Sequence, residues 1–92
     1  GVTAPEPDPD PRLQVEQVLA RIDDFLAQAG SDKHHILSAT VWLSDVRYAD
    51  AMNAAWDGWV SKESPPARAT VEARLVDPRL LVEIGIIAAP AD

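Results

Sequence analysis

The stretch that decides the fold is Pro66-Ala67-Arg68-Ala69-Thr70-Val71-Glu72-Ala73-Arg74-Leu75, followed past Asp77-Pro78 by Leu81-Val82-Glu83-Ile84-Gly85-Ile86-Ile87-Ala88. Both halves have strand character, and the Asp-Pro pair between them is a turn signal. Side chains of a strand alternate between faces, so Arg68, Thr70, Glu72 and Arg74 share one side while Ala69, Val71, Ala73 and Leu75 share the other. The apolar set is assigned to the core. On the last strand Val82, Ile84, Ile86 and Ala88 form one row, and Leu81, Glu83, Gly85 and Ile87 the opposite one, with Glu83 its only charge.

Working back from there, Lys62 to Pro66 interrupts an amphipathic segment, and its two prolines forbid helix continuation. That segment, from about Val46 to Val60, carries Tyr48, Met52, Ala55, Trp56 and Trp59 on one stripe, with Asp45 or Ser44 as its cap. Before it, Leu37, Ala39, Val41 and Leu43 alternate with Ser38, Thr40, Trp42 and Ser44, which predicts a strand with the first set facing the core. Trp42 on the nominally polar side suggests that this second face is also covered. A first helix starts at Asp10-Pro11, runs through Leu13, Val15, Val18, Leu19, Ile22, Phe25, Leu26 and Ala29, and closes at Gly30. Residues 1–11 read as a Pro-rich acidic loop.

The order helix, strand, helix, strand, strand predicts an α+β sandwich of residues 1–92 as one domain, a mixed sheet with two helices on one face. Three strands leave edges and an apolar face uncovered, so further strands are expected from a preceding segment or from neighbouring subunits.

A formal net charge of -7 and a pI near 4.6 oppose nucleic-acid binding, which relies on clustered Lys and Arg neutralising phosphates. Ribonuclease activity fits such a chain poorly. No apolar run approaches the roughly 20 residues of a membrane span. The absence of cysteine removes thiolate chemistry and disulfides, and is compatible with a cytoplasmic address. His34 and His35 are adjacent in a loop with no third ligand spaced to join them, so they read as surface residues. Trp56 and Trp59 read as core rather than as a sugar-stacking platform.

Two readings of the charged strand residues stay open. In one, Arg68, Glu72, Arg74 and Glu83 form a solvated hairpin face whose cross-strand ion pairs each contribute well under about 1 kcal/mol. In the other, Arg68 and Glu83 form a site: Glu83 is flanked by Leu81, Ile84, Ile86 and Ile87, and Gly85 leaves room for a backbone or ligand to approach. Asn53, at the edge of the second helix's stripe, is within reach of such a pocket.

The runs Ala51-Met52-Asn53-Ala54-Ala55-Trp56-Asp57-Gly58-Trp59, Pro66 to Ala73 and Leu81 to Ala88, with Glu83 fifteen residues after Arg68, closely resemble the RidA (YjgF-type) reactive intermediate deaminases. The resemblance implies a chorismate-mutase-like fold, a homotrimer with pockets at subunit interfaces, and deamination of 2-imino or 2-enamino acids to 2-keto acids without a cofactor. It implies that Arg68 grips the substrate carboxylate, Glu83 acts on water, and Asn53 and Thr70 line the pocket. Thr70 stands where many members have cysteine. Members usually begin with about two further strands, and this chain starts at the glycine of the second, Gly1, so one or two N-terminal strands are expected to be missing. A non-catalytic module sensing a small carboxylic acid through the same pocket is the alternative.

Overall fold

The computed structural model describes residues 1–92. Helix α1 spans Pro11–Gln28, with the Asp10 side chain accepting from the Leu13 N–H at its start. It ends in a paired closure, Ser31 N–H to Leu26 C=O at 2.8 Å and Gly30 N–H to Ala27 C=O at 3.2 Å. Gly30 turns the chain with φ of 73°, a conformation glycine adopts without steric penalty. Strand β1 covers Ile36–Leu43. A single 3₁₀ turn at Val46–Tyr48, capped by Asp45, leads into α2, Ala49–Trp59. Strands β2, Ala67–Glu72, and β3, Val82–Ala88, follow. No helix is long and apolar enough to cross a membrane.

The sheet order is β2-β1-β3, which corrects the hairpin reading. Strands β2 and β3 do not pair; β1 lies between them, parallel to β2 and antiparallel to β3. The cause is the crossover: β1, α2 and β2 make a strand-helix-strand unit, whose strands run parallel because the helix returns the chain to its starting end. The stretch after β2 is too long for a tight turn and carries β3 to the free edge of β1. The cross-strand ion pairs expected between Arg68, Glu72 or Arg74 and Glu83 therefore do not exist.

One face of the sheet, through Ala39, Val41, Leu43, Val82 and Ile84, packs on Val15, Val18, Leu19, Ile22 and Leu26 of α1 and on Met52, Ala55 and Trp56 of α2. Each fully buried side chain of this size is worth about 1.5–3 kcal/mol of transfer free energy. Four assignments shift. A register irregularity between Ile36 and Ser38 turns Ile36 inward and leaves Leu37 59% exposed. Ala69 and Val71, assigned to the core, are exposed, because β2 is an edge strand and they point to the face without helices. Leu13 and Phe25 are nearly half exposed, and the fully buried α1 position beside Val15 is Gln14.

The fourth shift is the N-terminal segment, which is a fastened strap. Val2 exchanges both backbone hydrogen bonds with Ile84, at 2.7 and 3.0 Å, and Ala4 is buried in the core. One stripe of α1 ties the strap down. The Arg21 guanidinium donates to the Thr3 carbonyl at 2.7 Å, and the Gln17 amide donates to Glu6 C=O and accepts from Asp8 N–H.

In the turn before β3, Asp77 accepts from both the side chain and the backbone N–H of Arg79. These bonds, the side-chain one first, pull its carboxyl down to about 2. A folded-state pKa below the ordinary 3.8 makes the turn's contribution to stability complete above pH 4, and it is lost as pH falls towards 2. Carboxyl NMR titration is expected to place Asp77 near 2 and to move it back towards 3.8 in Arg79→Ala.

Candidate functional site

Arg68 is the second residue of β2 and stands in register with Ala39, on the helix side of the sheet. Because β2 is an edge strand, its side chain reaches past the covered core to the flank of α2. There the guanidinium carbon lies 5.4 Å from the Trp56 ring centroid. One Nη2–H donates to Asn53 Oδ1 at 2.7 Å and Nη1 approaches the Met52 sulfur at 3.3 Å. Trp56 and Met52 are buried, so the platform beneath the charge is rigid, and a cation over an aromatic face gains about 0.5–1 kcal/mol at an exposed site. Arg68 is exposed, and its remaining N–H groups have no hydrogen-bond partner within the chain. Thr70 lies two residues further along the same face, in register with Val41. Arg68 and Asn53 are thus brought together on one open rim, with Thr70 on the same face of β2.

Glu83 is not part of that rim. It is in register with Trp42, whose ring lies on the face away from the helices, so Arg68 and Glu83 occupy opposite faces of the sheet within one chain. Glu83 lines a shallow cleft of about 260 Å³ with Trp42, Arg74, Leu75 and Val76. Two glycines shape its seat. A Cβ on Gly1 would fall 2.5 Å from Glu83 Oε2, and one on Gly85 would fall 3.1 Å from the Trp42 ring. The space at Gly85 is therefore filled by the indole of Trp42. The Gly1 amine lies 3.6 Å from Glu83 Oε2.

The other charged strand residues have separate partners. Glu72 Oε1 accepts from Val46 N–H at 2.8 Å, which fastens the end of β2 to the start of the α2 segment. The histidines diverge: His34 Nδ1 meets Ser61 Oγ at 2.9 Å, and His35 Nδ1 meets Asp32 Oδ1 at 2.8 Å. Sequence reasoning missed that Trp56 and Met52 support Arg68 from below. The spacing of Met52, Asn53 and Trp56 on α2, one helical turn with Asn53 at its edge, was the available signal.

Comparison with known proteins agrees with this architecture. The family model described as Endoribonuclease L-PSP matches residues 3–90, so the chain belongs to that family, the group also known through its RutC, YjgF and Rid members. It is 52% identical over 75 residues to a RutC family protein of Haemophilus influenzae, covering 82% of this chain and 65% of the relative. Among solved structures it is similar to NMB1025, a YjgF family member from Neisseria meningitidis, with a TM-score of 0.95 and 44% identity over 100% of this chain and 77% of that one. It is also similar to YyfA of Yersinia pestis, of the conserved Rid family, with a TM-score of 0.82 and 33% identity over 88% of this chain and 64% of that one. The chain therefore spans about two thirds of the length of the H. influenzae and Y. pestis proteins.

Proposed function

We propose that this domain hydrolyses reactive 2-imino and 2-enamino acids to 2-keto acids and ammonia. The observation that carries the reading is the exposed guanidinium of Arg68, held by Asn53 and Trp56 with N–H groups left unpartnered within the chain. A planar guanidinium holds a carboxylate through two parallel bonds and so orients the carbon-nitrogen double bond next to it. Water then adds to the imine carbon, its proton passes to nitrogen, and the carbon-nitrogen bond breaks to release ammonia and leave the keto group.

Glu83 is the group proposed to orient and deprotonate that water. Since it lies on the other face of its own sheet, the reading requires the Arg68 rim of one copy to face the Glu83 cleft of another, as in the homotrimer that the family resemblance implies. Thr70 is proposed to hydrogen-bond the substrate beside Arg68. Asn53, whose oxygen already accepts from the guanidinium, is proposed to set the angle of that fork. Ammonia release from a freshly generated imino acid tests the proposal, and no acceleration over the uncatalysed rate would refute it.

Asn53→Asp is a sharper probe. It places a carboxylate against the guanidinium, where it competes with the substrate's own, so KM is expected to rise about tenfold or more while kcat changes little. Steady-state kinetics at saturating substrate separates the two.

A second reading is favoured by the separation of Arg68 and Glu83 within the chain. If copies do not complete each other's sites, the rim alone binds a small carboxylic acid without turnover. Calorimetry with a 2-keto acid, showing saturable binding that depends on Arg68 and no ammonia release from the imine, would select it.

A further inference from the structure

Gln14 is a polar side chain with 0% exposure in the first turn of α1, and every hydrogen-bonding position of its amide plane is used on the backbone of other segments. Its Nε2 donates to Asp8 C=O at 2.9 Å and to Arg79 C=O at 3.2 Å. Its Oε1 accepts from Leu81 N–H at 2.7 Å and from Val82 N–H at 3.3 Å. Burying an amide is unfavourable unless it is paired, so a glutamine here indicates a task that the leucine expected at such a site would not perform.

Those four bonds converge on one place. Leu81 and Val82 immediately precede Glu83, and Arg79 belongs to the turn that feeds it. Asp8 ends the strap that begins at Gly1, and the Gly1 backbone bounds the Glu83 carboxylate on the other side. A single rigid helix therefore holds both the strand that carries Glu83 and the strap that flanks it. We propose that Gln14 is the positioning residue for Glu83: it fixes where the carboxylate stands without touching substrate. The inference rests on the hydrolytic reading for its consequence in catalysis, while the clamp itself is independent of that reading.

The mechanism fixes the expected pattern. Arg68 is on β2, which Gln14 does not touch, so loosening the clamp leaves substrate binding intact and displaces only the group acting on water. A misplacement of about 1 Å at a reacting group costs about 10²-fold in rate. Gln14→Met, similar in length and without the amide, is expected to lower kcat per folded molecule at least tenfold with KM within about twofold. Gln14→Glu keeps the acceptor for Leu81 and Val82 but loses both donations, and is expected to retain more kcat than Gln14→Met. Folded fractions are measured by circular dichroism at the assay temperature.

Amide hydrogen exchange supplies a readout that needs no turnover. Leu81 and Val82 are expected to be protected in the parent and in Gln14→Glu, and to exchange at least tenfold faster in Gln14→Met, with the amides of β1 unchanged. Unchanged kcat per folded molecule in Gln14→Met, in a parent that hydrolyses imines, would overturn the positioning role. Uniform loss of protection across the chain would overturn the clamp and leave a general packing residue. If Gln14→Met does not fold, Gln14→Glu decides: a parental kcat together with fast exchange at Leu81 and Val82 overturns the proposal. A parent with no turnover and protected Leu81 and Val82 amides refutes the hydrolytic reading alone.

Discussion

Arg68→Ala is expected to leave a folded protein that no longer accelerates ammonia release from a 2-imino acid. The loss in kcat/KM is expected to reach about 10²-fold or more, because a charge-assisted hydrogen bond is worth about 1.5–3 kcal/mol and the fork makes two. Folding should be little affected. Arg68 is exposed on an edge strand and stands against the buried Met52 and Trp56 without belonging to the buried set itself. Arg68→Lys separates charge from shape: it restores a cation but not the planar fork, so recovery should be partial. Full activity in Arg68→Ala, with parental circular dichroism, would remove the carboxylate-binding role and with it the proposed chemistry.

The second large effect is at Glu83. Glu83→Gln is expected to lower kcat by roughly 10² to 10⁴, the range for loss of a general base, with KM nearly unchanged because the carboxylate fork is elsewhere. The opposite-face arrangement gives this variant a stricter check. Each site is proposed to combine Arg68 of one copy with Glu83 of another, so unfolding and refolding Arg68→Ala and Glu83→Gln together should regenerate activity that neither has alone. Absence of complementation in a mixed oligomer, verified by native mass spectrometry, would contradict a site shared between copies.

Much of the architecture was legible from periodicity. The Asp10-Pro11 start and Gly30 stop bound α1, and the alternation around Ala39, Val41 and Leu43 identified the central strand. What the sequence did not carry directly was which strand neighbours which. Period-2 patterns specify faces, not partners, and the Asp77-Pro78 turn signal drew β2 and β3 together although β1, the most buried strand, had two edges to satisfy. The strand-helix-strand succession from β1 to β2 was the better guide, because it requires a parallel pair.

The same error misplaced the apolar residues of β2. Ala69 and Val71 look like core only if the helices lie on their face, and the register with Thr40 and Trp42 puts them on the other one. Of the candidate site, Arg68 and Asn53 do meet, with Thr70 on the same face of β2. Glu83 does not join them within the chain, because alternation assigns faces only once the pairing is known, and the β2-β1-β3 order puts it on the face opposite Arg68. Gln14 escaped notice for a different reason: a glutamine among apolar residues reads as the solvent side of a helix, and its burial is visible only once the strap and the turn close over it.

The pairing of Val2 with Ile84 joins residues 82 positions apart in sequence (84 minus 2), and the burial of Ala4 fixes the same strap to the core. The middle strand also waits for its antiparallel neighbour, β3, which follows every other element of this domain in the chain. Until β3 has been synthesised, α1 and α2 therefore lack much of the surface on which they pack. Closing so long a loop is slow compared with forming local contacts. Native packing must then await the synthesis of β3, and removing that strand is expected to abolish folding as a whole instead of trimming one edge.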